Sequence, residues 1–162
     1  MARLYAATHP RRVAGLVMVD ALSEFIEDGY TREQMVAFDD LNNGPLSGLE
    51  SYTDLEQVLF RPSFRQMRRA ARARPLGDIP YGVISRRLPI ELPPGLPAGL
   101  TTKLSERVWR QSQRRLARLV PGTRRTIAAR SSHYVMFTQP GLIIHEVRRV
   151  VRLARGLQSS PR

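Results

Sequence analysis

The sequence predicts an α/β fold with about three parallel strands, flanking helices and a helical insertion. Three observations carry this. Residues 13–19, 81–85 and 126–129 are short, apolar-leaning runs, the pattern of parallel strands that helices cover on both faces. Stretches with apolar residues at helical spacing lie between and after them. The chain has 162 residues, 42% of them hydrophobic, which suits one domain with a real core and argues against disorder.

Each element has a local reason. Residues 2–9 suit a helix that Pro10 ends, although no cap or strand precedes it. Residues 13–19 follow as an uncharged strand that stops at Asp20. Residues from about 21 to 75 read as the helical insertion. Within it, Thr31 and Gln34 form a capping box, and Met35, Phe38 and Leu41 give one apolar stripe. Asn42 to Pro45 breaks that helix. A second helix is expected after Tyr52 and Thr53, with Leu55, Val58 and Leu59 apolar. Pro62 should interrupt it, and residues 63–74 should resume as a basic helix.

Residues 81–85 form the second strand, and the proline-rich stretch 88–100 should be irregular. Residues 102–119 read as a helix with Leu104, Val108, Leu116 and Leu119 or Val120 inward; Pro121-Gly122 ends it. The third strand, 126–129, runs into Ser131-Ser132-His133. Thr138 is expected to cap the last helix, with Pro140 in its first turn. Ile143, Val147, Val150, Val151 and Ala154 should face inward, Arg148, Arg149, Arg152 and Arg155 mainly outward, and Gly156 should stop the helix.

The formal charge is +12. It is uneven: an acidic block over residues 21–60, net −8, separates basic flanks of +2 and +18. Lys103 is the single lysine. The arginines fall on solvent faces of amphipathic helices, without a nucleic-acid motif or an interleaved basic-aromatic stripe, so no specific nucleic-acid partner is expected. The chain has no cysteine, which excludes disulfides and thiolate metal sites. His9, His133 and His145 lack ligand spacing, so no metal is expected. No cofactor is implied. No apolar run is long enough to span a bilayer and no signal peptide opens the chain, so a cytoplasmic location is the default expectation.

The opening, from Ala2 through Val19-Asp20-Ala21, resembles the helix and strand that follow the nucleophile in the α/β-hydrolase family. The Pro75-to-Ser85 stretch resembles the strand that follows that family's cap, and Trp109 with Gln113 resembles a pattern before its last strand. Ser131-Ser132-His133 with Gln139-Pro140 resembles its catalytic-histidine loop, Ser132 standing where glycine is usual. The resemblance is to the C-terminal half of the fold, of the esterase- or lipase-like kind with a helical cap. It implies a single incomplete domain over 1–162, with a partial α/β-hydrolase sheet. The early strands, nucleophile and most of the oxyanion hole would lie upstream of Met1.

A hydrolase of this kind needs a nucleophile, a base, an acid that orients the base, and oxyanion donors. The resemblance implies that His133 is the base. Two residues are candidates for the acid: Asp20, at the end of a buried strand, and Glu91, in the proline-rich loop. Asp20 is preferred because a carboxylate at a strand's carboxyl end is held rigidly towards the ligand crevice. No nucleophile is found in the chain. G-x-S-x-G is absent; Gly44 to Gly48 has Ser47 one place late, and nothing orients Ser131 or Ser132 against His133. The parent activity implied is hydrolysis of an ester or similar small-molecule bond, with a serine or aspartate nucleophile. The chain alone is expected to be inactive, and to meet a small-molecule substrate only when an N-terminal half completes it. The uncharged edge of residues 13–19 is expected to favour self-association. The alternative is a non-catalytic basic α/β domain that binds a protein or nucleic acid.

Overall fold

The computed structural model describes residues 2–43, 59–73 and 76–159. Helix α1 (Ala2–Thr8) precedes strand β1 (Leu16–Val19). A 3-10 segment, Glu24–Gly29, then leads to α2 (Arg32–Asn43), and α3 (Phe60–Ala73) follows. Next come β2 (Tyr81–Arg86), α4 (Thr102–Ala117), β3 (Arg124–Ala128), the short α5 (Val135–Thr138) and α6 (Pro140–Ser159). The three strands form one parallel sheet in the order β1-β2-β3, with Leu16 opposite Tyr81 and Gly82 opposite Arg124.

Alternation along the strands divides the core. Leu16, Met18, Tyr81 and Val83 point to one face, where Leu116 and Val120 from α4 and its C-terminal turn cover them. Val17, Val19, Ile84 and Ala128 point to the other, against Val135 of α5 and Leu142 and Ile143 of α6. A third cluster joins Met35 of α2, Phe60 and Phe64 of α3, Ile26 and Val108. It ties the insertion's helices to α4. The capping box forms as expected: Gln34 N donates to Thr31 Oγ1 at 3.2 Å, and Thr31 N donates to Gln34 Oε1 at 3.0 Å.

Helix α6 sits close on the sheet because two glycines make room. A Cβ on Gly82 would overlap the Glu146 carboxylate, and one on Gly15 would overlap Val150. Glu146 is thereby buried, with Arg149 donating to its Oε1 at 2.7 Å and to Tyr81 O at 2.7 Å. At the other end of the chain, Arg3 of α1 makes a buried bidentate pair with Glu24, both contacts at 2.8 Å.

Several sequence expectations are corrected. Residues 13–15 lie outside β1, which starts at Leu16, paired with Tyr81 at the start of β2. Pro62 does not interrupt a helix; it lies in the first turn of α3, where a missing N–H leaves no ladder bond unmade. The expected helix around Leu55 and Val58, and the Ser47 stretch, lie outside the described residues. Thr138 does not cap the last helix: it ends α5 and donates to Ser131 Oγ and Tyr134 O. Helix α6 runs through Gly156 to Ser159. On α6, Ile143 and Val150 pack inward, but Val147 and Val151 are exposed, and the buried Glu146 takes a place on the sheet-facing side. Strand β2 is buried throughout, whereas β1 is half-buried and β3 begins exposed at Arg124.

The exposed residues of α6 have a direction. Glu146 lies over Gly82 of β2 and Val150 over Gly15 before β1. The flank that continues in that sense carries Ile144, Val147 and Val151, all exposed. Strand β1 pairs on one side only among the described residues. No helix among the described residues is long and apolar enough to cross a membrane.

Candidate functional site

A parallel sheet directs all its strand ends, and the loops that leave them, to one edge. At that edge β1 delivers Asp20, β2 ends on Arg86, and the loop after β3 carries His133. The three residues are far apart in sequence and meet here.

Asp20 is fully buried and adopts φ 41°, the left-handed region that aspartate tolerates better than most side chains. Its backbone N–H still reaches Ile84 O at 2.7 Å, so the turn begins on the last rung of the sheet. The carboxylate is held by four contacts. Oδ1 accepts from Arg86 N and from Trp109 Nε1, each at 3.0 Å. Oδ2 accepts from Arg86 Nη1 at 3.1 Å and meets His133 Nδ1 at 3.0 Å. A carboxylate oxygen only accepts, so Nδ1 carries the proton in this pair. With one proton on the ring, Nε2 is then the acceptor, and no hydrogen bond to Nε2 occurs among the described residues.

Arg86 ties this centre to α4. Its Nη2 donates to Glu106 Oε1, its guanidinium lies 4.5 Å from the Trp109 ring centroid, and it is buried. Glu106 also accepts from Ile90 N at 3.2 Å, which anchors the proline-rich loop. Gln113, one turn beyond Trp109, donates to Ala21 O at 2.8 Å. Trp109 and Gln113 therefore both hold the segment leaving β1. Sequence reasoning missed the clamp of Arg86 and Glu106. The available signal was an arginine at the end of a strand buried along its whole length, where a lone charge would be too costly to leave unpaired.

The histidine loop is fixed by Ser131. Ser131 O accepts from Leu88 N at 3.0 Å and Arg87 N at 3.3 Å, and its hydroxyl donates to Gln139 Oε1 at 2.9 Å. Thr138 donates to Ser131 Oγ at 2.6 Å. Ser131 is thus a buried structural residue, committed away from His133. The His133 side chain is 48% exposed, with Tyr134 packed edge-on at 5.5 Å. One ring edge is anchored while the other opens outward.

The other candidates fall elsewhere. Glu91 has no contact with His133 through a hydrogen bond; it lies exposed on the rim of the same cavity. His9 is exposed, stacked on Tyr5 at 4.5 Å and bonded to Thr8. His145 is exposed on α6.

The cavity in front of His133 has a volume of about 450 Å³. Phe38 and Leu41 of α2, Ile90 and Leu92 of the proline-rich loop, and Trp109 of α4 supply most of its apolar wall. The stripe expected on α2 thus divides: Met35 is core, while Phe38 and Leu41 also face this space. Such a mostly apolar concavity with a few convergent polar groups is the usual form of a small-molecule site.

No family model, curated protein or solved structure matches the chain.

Proposed function

We propose that this chain carries the base and the orienting acid of a hydrolytic site of the nucleophile–histidine–acid type. His133 is the base, and Asp20 orients it. The substrate is a small molecule with an ester or similar bond, bound in the cavity beneath α2. The observation that carries the reading is the Asp20–His133 pair, 3.0 Å long, at the carboxyl edge of a parallel sheet. An acid that fixes one imidazole nitrogen as donor leaves the other free to take a proton from a nucleophile or from water. The resemblance of the sequence to the α/β-hydrolase family supports the same assignment.

In this reading the nucleophile reaches Nε2 from polypeptide that pairs with the open edge of β1. The uncharged strand and the exposed apolar residues Ile144, Val147 and Val151 of α6 support that placement. The described residues alone are expected to show no turnover. The test is to incubate the chain with short-chain p-nitrophenyl esters and a fluorophosphonate probe, with and without an N-terminal partner segment that bears a serine or aspartate elbow. Turnover should need that segment and be lost in His133→Ala. Stoichiometric labelling of one serine in the chain alone would overturn the assignment of the nucleophile. Turnover that survives His133→Ala would overturn that of the base.

A further inference from the structure

The cavity beside His133 runs against the charge of the whole molecule. The chain is strongly basic, at +12. The charged residues on the cavity wall are Arg86, Glu91 and Glu106, one guanidinium against two carboxylates. Asp20, directly behind the wall, adds a third carboxylate. Most of Arg86 is committed within the protein: its two terminal nitrogens meet Asp20 and Glu106, its plane lies on Trp109, and its Nε, though unpartnered, is buried. Glu91 differs from the other acids. It is exposed on the rim and has no ion-pair partner among the described residues. The aromatic rings of Tyr30 and Phe38 also face the cavity, and their electron-rich faces favour cations over anions.

We propose that the cavity selects neutral or cationic ligands with an apolar body, and that Glu91 is the residue that sets this preference. The inference rests on the reading of this cavity as the ligand site, but its test needs no turnover. An apolar group would fill the space between Phe38, Leu41, Ile90 and Trp109. An amine at the mouth would meet the Glu91 carboxylate, whereas a carboxylate there would meet a like charge. The assignment also gives Glu91 a role distinct from the acid of the pair, which Asp20 takes.

Trp109 is the single tryptophan of the chain and lines the cavity, so its fluorescence reports occupancy. The experiment titrates the intact protein with three ligands of one shape: 3-phenylpropylamine, 3-phenylpropan-1-ol and 3-phenylpropionate. It is run at pH 8 in about 150 mM salt, where the field of distant arginines is screened beyond roughly 8 Å, and repeated with His133→Ala to remove any charge on the ring. The amine should bind tightest and the carboxylate weakest, with steps of about threefold to tenfold, the size of one partly solvated charge contact. Glu91→Gln should remove the amine's advantage over the alcohol while far-UV circular dichroism is unchanged. Tightest binding of the carboxylate, an amine-to-alcohol ratio unmoved by Glu91→Gln, or no response of Trp109 to any of the three would each overturn the proposal. Absence of the His133 Nδ1–H form by NMR would instead remove the proposed base while leaving the ligand ranking in place.

Discussion

Arg86 donates to the same Oδ2 of Asp20 that meets His133 Nδ1, at 3.1 Å against 3.0 Å. One buried carboxylate oxygen therefore serves both a structural cation and the exposed histidine. Arg86 is itself shared with Glu106. The pair at the strand ends is a small network, and its parts respond differently to substitution.

Replacing Arg86 with methionine keeps the apolar stem and removes the charge. Asp20 and Glu106 are then buried without their cation, which typically costs about 3–5 kcal/mol. Urea unfolding followed by Trp109 fluorescence should show a loss of that size. A loss below about 1 kcal/mol would mean that the pair is solvated rather than buried.

Asp20→Asn tests orientation separately from folding. Asparagine tolerates the φ of 41° and keeps a side-chain oxygen, so the fold should survive. It no longer offers two anionic oxygens to Arg86 and His133. Long-range ¹H–¹⁵N spectra of the three histidines should show His133 held as the Nδ1–H form in the parent and as a mixture of forms in the variant.

Gly82→Ala places a methyl group on the Glu146 carboxylate. Overpacking of this kind costs about 1–3 kcal/mol. The penalty should shrink when Glu146→Ala is added, because the colliding group is gone; a double-mutant cycle by thermal melting measures the coupling. Additive effects would place α6 further from the sheet.

Burial pushes the Tyr81 phenol well above its ordinary ionisation range and raises that of Tyr30 as well. A raised folded-state value means that the unfolded phenol ionises first. The stability this contributes is complete below about pH 10 and is lost as pH climbs above it. Ultraviolet difference titration of the five tyrosines should show a late fraction that ionises together with unfolding. Full ionisation of all five while circular dichroism stays native would contradict the buried position of Tyr81.

The edge of β1 and the Ile144, Val147 and Val151 flank should make the isolated chain sticky. Light scattering after size exclusion should show mass rising with concentration, and ANS should bind. Val147→Asp with Val151→Lys should reduce both. A monodisperse monomer with no ANS signal and a cooperative melt would show that the chain closes its own core, and the incomplete-hydrolase reading would give way to a self-sufficient domain.

The sequence by itself determined the three strands, their order and most of the helices between them. Short apolar runs mark strands because parallel strands are covered on both faces, and the Thr31–Gln34 box marks a helix start because it satisfies local backbone donors. These are signals within a few residues of one another. It also placed Asp20 and His133 at strand ends, where a parallel sheet must gather them. Tertiary structure decided what no local pattern encodes. Val147 and Val151 have the same helical spacing as Val150, yet only Val150 lies over the sheet, because Gly15 and Gly82 set where α6 rests. Arg86, Glu106 and Trp109 acquire their roles only when β2 and α4 bring them to Asp20. Asp20 and Glu91 were both open as the residue that meets His133, and only the packed fold separates them: Asp20 Oδ2 lies 3.0 Å from His133 Nδ1, while Glu91 lines the cavity without a hydrogen bond to it. Burying a charge is tolerable only with its partner in place, and the partner's position is a property of the packed fold rather than of its neighbours in the chain.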